Sequence, residues 1–439
     1  MNYNSIAKIL CAGLLTLVVA SCKESETEIE QVLPEIPTGP ETEPEVGAVM
    51  PGWREGYFEL HSISSGRGEA NFYIFPDGTS MLVDCGGSLV TQAICDAKND
   101  GGVTPARPGW DISCAQVLAS YISKFNPRGA NVDYFMNSHF DEDHMGSYAL
   151  KYDEYQDFPT HPVGNFLMNG LAELGTLVKF DKIIDRGYTV PINRGTEDRF
   201  KDYQRFLKWT IETQGTVYET ALPGHVDQVV MKYNPDKFKN FQVRILCASG
   251  YAWSGVGQES VRTIPLARED VKKASADENI YSIAFQLDYG DFNLYSAGDL
   301  QYEHRTGYEW TDGEAQIAPL LGEVEVMKGS HHGSSNANGE EILNALRPQT
   351  VWVNPWRTQQ PGAPAVQRMV TANPDVNIFC TTMDEGSKAP LRPFADNFKS
   401  LDGHIVMRIY PDGHYMVYIL DDTDMNYKVK AIFGPYQSK

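Results

Sequence analysis

The stretch NSHFDEDHMGS constrains this 439-residue chain most, because His139, Asp141, Asp143 and His144 put four metal-binding side chains within six residues. The run before it, NVDYFMN, is apolar and aromatic enough for a buried strand, and Gly146-Ser147 opens a new segment. The pattern therefore predicts a loop at the carboxyl end of a strand, where loops carry chemistry. Imidazole and carboxylate donors suit zinc, and the oxygen-rich mixture also admits manganese or iron. The plain alternative is a charged surface loop with incidental histidines. With only ten histidines in the chain, two paired with two aspartates at this spacing speak against it.

Two further ligand-bearing turns follow apolar strands: LYSAGDLQ, with Asp299, and VEVMKGSHHGSSN, with His331 and His332. Each is weak alone, since GD turns are common and HH pairs are often structural. Upstream, TSMLVDCGG sets Asp84 at a strand end before two glycines that let backbone approach closely. A carboxylate there can hold the second nitrogen of a ligand histidine.

Taken in chain order, Asp84, the H-x-D-x-D-H run, the GD turn and the HHGS turn resemble the metallo-β-lactamase superfamily, above all its ComEC-type branch of soluble metallo-hydrolase domains. SSGRGEANFYIFPDGTSMLVDCGG resembles the family's opening hairpin, and ENIYSIAFQLDYGDFNLYSAGDL its strand pair before the bridging aspartate; the likeness spans roughly residues 57 to 420. It implies an α/β protein, an αββα sandwich of two mixed β-sheets flanked by helices. It also implies that His139 and Asp141 serve one metal, that Asp143, His144 and one of the HH pair serve a second, and that Asp299 bridges them. His331 is the preferred ligand of the pair, with His332 facing substrate, and the reverse stays open. Asp143, His332 and Asp84 are the residues expected to act in catalysis. Other superfamily members supply a further histidine before the bridging aspartate. Here its only candidate is His225 in ALPGHVDQVV, which reads instead as a turn residue before the strand FQVRILCASG and leaves the first metal thinly held.

The activity implied is that of a metal-dependent hydrolase acting on a small phosphodiester or oligonucleotide-like substrate. One or two zinc ions, with manganese or iron as alternatives, would be the cofactor. Two ions about 3.5 to 4 Å apart lower the pKa of a shared water toward ~7 and polarise the electrophile. Hydrolysis of another ester, a lactone or a lactam is the enzymatic alternative, because fold alone does not choose among them. A non-catalytic surface-binding lipoprotein retaining the fold is the other.

Residues 1–21, MNYNSIAKILCAGLLTLVVAS, carry one lysine and an apolar core too short for a membrane helix of ~20 residues. With Val19-Ala20-Ser21-Cys22 they read as a lipoprotein signal, making Cys22 the lipidated N-terminus and membrane anchor. Residues 22–50 are rich in Glu, Pro and Thr and read as a disordered acidic tether. CKESE resembles the signal that sends lipoproteins to the outer surface in Bacteroidetes-like bacteria, so the expected location is the cell envelope, as a lipid-anchored outer-membrane protein exposed at the surface. Residues 51–439 form the expected hydrolase domain, with an insertion at about 152–224.

The net charge of −21 becomes −22 once Lys8 leaves with the signal, and the tether's eight glutamates and one lysine account for −7 of it. The remaining −15 counts against a strong nucleic-acid-binding surface, which depends on Lys and Arg contacts with phosphates. Five of the seven cysteines stay once Cys11 is removed and Cys22 acylated, so at least one is free. Cys95 and Cys114 flank a Gly/Pro-rich stretch and are the suspected disulfide, while Cys85, Cys247 and Cys380 sit in strand-like contexts as buried thiols.

Along the body, strands are predicted at 57–63, 70–76, 80–84, 132–137, 241–247, 280–288, 292–296, 324–328, 350–353, 376–380, 404–410 and 414–420. Helices are predicted at about 112–125, 198–214, 301–306 and 338–346.

Overall fold

Period-two alternation along strands buried on both faces sets the layers of this protein. In Asn71–Ile74, Phe72 and Ile74 pack against helices while Tyr73 meets the opposite sheet. In Asn131–Asn137, Phe135 points outward between Tyr134 and Met136, which point between the sheets. Strands covered on both sides read as continuous apolar runs, which is why their sequences carry so few charges.

The computed structural model describes residues 43–87, 102–146, 159–187, 196–265, 268–302 and 306–439. The signal, Cys22, most of the tether and Cys95 lie outside them. One nine-stranded sheet runs in the spatial order Val429–Gln437, His414–Leu420, His404–Ile409, Phe58–Ser62, Asn71–Ile74, Ser80–Val83, Asn131–Asn137, Lys179–Asp185 and Val217–Thr220. The second, also nine-stranded, runs Phe398–Ser400, Asn377–Cys380, Thr350–Val353, Val326–Lys328, Phe292–Ala297, Ala284–Tyr289, Phe241–Ala248, Tyr251–Trp253 and Ser260–Arg262. Both sheets are mixed. The first turns parallel from Ser80–Val83 onward, and the second from Phe292–Ala297 through Phe398–Ser400. Parallel strands bring their carboxyl ends to one edge, and from those ends come Asp84, His139, Asp299 and the His331-His332 pair.

Between the sheets lies a core of Phe58, Tyr73, Met136, Phe285, Leu294 and Trp352, among others. Outside the first sheet, Leu118 and Ile122 of the helix Cys114–Phe125 and Leu171 and Leu174 of Gly170–Leu177 cover its apolar face. Outside the second, Ile317, Leu343 and Met369 of the helices Gly313–Ile317, Glu340–Leu346 and Ala363–Ala372 do the same. The result is the αββα sandwich expected from the sequence. The helix Cys114–Phe125 starts where Ser113 and Gln116 form a capping box, and its buried residues recur at helical spacing.

Several expectations change. Residues 152–224 are not a mere insertion: their described part supplies two parallel strands and two helices to the first sheet and its outer layer. The edge strands Ser260–Arg262, Phe398–Ser400 and Val429–Gln437 were also missed, because short or half-exposed edges lack a continuous apolar run. The start of the stretch predicted as a strand at 280–288 is a 3-10 turn, Glu278–Tyr281, and the strand begins at Ala284. No helix covers the described residues of 301–306. Cys114 carries a free, buried thiol directed at the Cys85 carbonyl 3.4 Å away, and its suspected partner Cys95 lies outside the described residues. Burial pushes that thiol up to about 11. Cys85, Cys247 and Cys380 are free and buried, as expected.

Trp352 is fully buried between the sheets and donates from Nε1 to Asn71 Oδ1, 3.0 Å away. Trp352→Ala should therefore cost about 3–5 kcal/mol of stability. A chemical-denaturation midpoint equal to that of the parent would contradict this inter-sheet packing.

Candidate metal centre

Asp84 organises the loop that follows Asn131–Asn137. It is fully buried, sits in the left-handed region at φ 60°, and accepts from the Ser138 N–H and hydroxyl, each at 2.7 Å. Its Oδ2 also lies 2.7 Å from His144 Nδ1. A serine hydroxyl has one proton; since Ser138 gives it to Asp84, its oxygen is left to accept from His139 Nδ1 at 3.0 Å. One carboxylate therefore holds the Nδ1 side of two histidines, one directly and one through Ser138.

His332 follows the same rule with a different partner, its Nδ1 donating to the Asn354 carbonyl at 2.9 Å. Three histidines thus have Nδ1 occupied and Nε2 turned inward. His144 Nε2 and His139 Nε2 are buried without a hydrogen-bond partner. Asp299 Oδ1 is only 3.2 Å from His144 Nε2, yet the two are misaligned for a hydrogen bond. A cation between them would accept lone pairs from both. Around that position, donor atoms of Glu69, His144, Asp299 and His332 all lie within 4.8 Å of one another. Asp143 adjoins them, its Oδ2 3.1 Å from His332 Nε2 and its Oδ1 4.0 Å from His144 Nε2. His139 Nε2 and the half-buried Asp141 Oδ2, 3.7 Å apart, form an adjoining pair.

The electrostatics match a site built for a cation. Asp84, Glu69 and Asp299 are buried carboxylates at one place, and Asp143 is nearly so. Lys328 meets part of that charge: it is fully buried, 2.8 Å from Glu69 Oε2, donates to the Gly298 carbonyl at 2.8 Å and lies 4.0 Å from Asp299 Oδ1. Protons on the histidines meet the rest. Burial pushes His332 down, but Asp299 and Asp143 push it further up, to about 9. The same opposition, with Asp299 and Asp84 prevailing, raises His144 well above its ordinary range. Burial raises Asp143 and Asp299, and the facing histidines overcome it and hold both well below the usual carboxylate range. Protons here do what a divalent ion would do. The donors are nitrogen and oxygen without thiolate, which suits zinc, manganese or iron and does not choose among them.

The structure brings together the residues singled out in the sequence, with one change. His332, not the preferred His331, has its Nδ1 held and its Nε2 in the inner cluster. His331 Nε2 stands 3.7 Å from Asp299 Oδ2 and 3.3 Å from Asn279 Nδ2, and its Nδ1 is unpartnered. Both histidines have left-handed backbones, φ 51° and 53°, which swing consecutive side chains to different sides. His225 pairs with Asp227 Oδ1 at 2.9 Å in the turn before Phe241–Ala248 and joins none of these contacts.

Sequence reasoning missed Glu69, Lys328 and Trp356, whose Nε1 donates to Asp143 Oδ2 at 3.0 Å. A lysine ending the apolar run VEVMK was the available signal, since a buried lysine demands an anionic partner. Glu69 is brought in by close packing: its N–H donates to the Asp143 carbonyl at 2.9 Å, and a Cβ on Gly68 (φ +116°) would lie 2.2 Å from that oxygen.

No family model matches the chain, and no curated protein matches it. Solved structures similar in part include a mutant of the CmlA beta-hydroxylase, at 12% identity and TM-score 0.35 over 80% of this chain. The chain spans about half of that protein's length, 54%. Zn(2+)-bound PqqB from Methylobacterium extorquens matches at 8% identity and TM-score 0.32, over 80% of this chain and 99% of that one. At scores this low the likeness carries no weight, and the four layers stand on this chain's own sheets.

A metal ion must displace the protons that His332 and His144 hold, so zinc affinity measured against a chromophoric chelator should weaken by about tenfold or more per pH unit between pH 8 and 6. In ion-free protein the folded pKa of His332, about 9, lies above its unfolded value, so the stability it contributes is full below ~6.5 and lost as pH rises through about 9. The melting temperature of chelator-treated protein should accordingly fall from pH 7 to 9. A pH-independent zinc affinity would exclude these histidines as ligands.

Proposed function

We propose that this chain is a metal-dependent hydrolase of phosphodiesters, of the ComEC-like type in the metallo-β-lactamase superfamily. One observation carries the reading: three buried histidines have Nδ1 fixed by Ser138, Asp84 and Asn354 and present Nε2 to a nest of carboxylates. A hydrogen-bonded structural cluster would satisfy those nitrogens instead of leaving two of them without partners. His144, His332, Asp299, Asp143 and Glu69 would hold one ion, and His139 with Asp141 would contribute to a second. A divalent ion so held supplies Lewis acidity and lowers the pKa of water in its shell.

The chain's own groups do the rest. Asp84 and the Asn354 carbonyl keep the imidazoles in one tautomer, and Trp356 Nε1 donates to Asp143 Oδ2 and fixes its direction. Lys328 neutralises Glu69 and ties the Gly298 carbonyl, steadying the turn that carries Asp299. Burial lowers the His331 pKa, outweighing Asp299, so its imidazole is neutral at pH 7. It lines the adjoining cleft and is placed to take or return a proton. The likeness of the motifs to the ComEC branch favours a diester over a lactam or lactone.

Asp143→Ala should reduce hydrolysis of bis-p-nitrophenyl phosphate by at least ~3 orders of magnitude with the fold retained, because it removes a loop ligand and empties no core. His225→Ala should change the rate little. Full activity in Asp143→Ala would remove the metal mechanism, and equal severe losses in both variants would make His225 a ligand.

We also infer that a lipid on Cys22 holds the protein in the cell envelope, the reading supported by the small-residue run ending in that cysteine. Cys22→Ser should move the protein from the membrane to the soluble fraction. Retention of the variant in washed membranes would refute the anchor.

A further inference from the structure

A cleft of about 950 Å³ opens beside the metal centre, with His331 and Trp356 in its wall. Among the described residues its lining mixes polar and apolar groups and includes no acidic side chain, in a chain of net charge −21. Two arginines reach it. Arg368 donates to the backbone carbonyls of Ser335, Ala337 and Asn338 and stacks on Tyr302 at 4.4 Å, so it shapes the cleft and adds positive potential. Arg357 is exposed and rests over the Trp356 ring at 5.2 Å, and its guanidinium forms no ion pair among the described residues. Gln360 is 1% exposed and its Oε1 accepts from the Trp356 N–H at 3.2 Å, which fixes the amide's orientation. Its Nε2 then has no partner among the described residues. An unpaired cation and an unsatisfied buried donor in one wall, both next to a tryptophan bonded to Asp143, call for an acceptor-rich anion.

We propose that this cleft recognises a second, phosphate-bearing group of the substrate, distal to the diester being cut, with Arg357 the residue that sets the preference. The inference rests on the diesterase reading above. Arg357 offers a planar fork of donors that matches a phosphate edge, and Gln360 Nε2 adds a neutral donor deeper in the wall. With no carboxylate among the described lining residues, an anion can enter a protein whose net charge would otherwise repel it.

The test uses thymidine 5′-(p-nitrophenyl phosphate) with and without a 3′-phosphate, bis-p-nitrophenyl phosphate, and equilibrium binding of thymidine 3′,5′-bisphosphate to the metal-loaded protein. The parent should prefer the 3′-phosphorylated substrate through KM. Arg357→Gln should cut that preference and the bisphosphate affinity by about tenfold, leave bis-p-nitrophenyl phosphate turnover unchanged, and be partly rescued in Arg357→Lys. Arg357-dependent bisphosphate binding without any diester cleavage would keep the cleft assignment and discard the diesterase reading. Diester cleavage with no 3′-phosphate preference, or binding indifferent to Arg357→Gln, would overturn the inference.

Discussion

The carboxylate of Asp84 is the constraint on which the site depends. It closes the end of Ser80–Val83 against the loop after Asn131–Asn137, and it spends its lone pairs on Ser138 and His144. Two imidazoles are thereby held in the tautomer that frees Nε2. The left-handed backbone at Asp84 places the side chain under the loop, and its strain is offset by three hydrogen bonds in a fully buried position. An asparagine of the same shape could accept from fewer donors and would not counter a histidine proton.

The opposing half of the site comes from the second sheet. Asp299, Lys328, His332 and Asn354 leave parallel neighbouring strands at the same edge, so the register of those strands sets their spacing. Gly298 lets the halves close: a Cβ there would lie 2.7 Å from Ser138 Oγ and 2.9 Å from Ser282 Oγ. Ser282 in turn takes the Asp299 N–H at 2.9 Å. The sandwich thus brings a histidine-rich loop and a carboxylate-bearing turn to within contact.

So many buried carboxylates in one place would repel each other without a counter-charge. Lys328 is a permanent one, and histidine protons or a metal ion supply the remainder. This explains why His144 and His332 are pushed up while His331, partly buried and further from the carboxylate pair, is pushed down. The two neighbours in sequence divide the work between holding an ion and facing the cleft.

Much of this was legible from residue order. The apolar runs announced the central strands, and the H-x-D-x-D-H run, the GD turn and the HH pair marked three loops at strand ends, because ligand chemistry demands particular side chains at short spacing. Nothing local distinguished His331 from His332, since the choice lies in two successive left-handed φ angles and in a carbonyl, Asn354, twenty-two residues away. Glu69 and Trp356 carried no motif, and they enter through Gly68 packing on the Asp143 carbonyl and an indole reaching Asp143 across the strand register. The interior strand Lys179–Asp185 and the edge strand Val217–Thr220 were hidden in a charged stretch, for strands answer to their neighbours more than to their own composition. By itself the sequence determined which side chains could hold a metal and which runs must be buried. Only the tertiary structure decided which lone pairs converge, because direction and distance between residues remote in the chain are set by sheet register and by close packing.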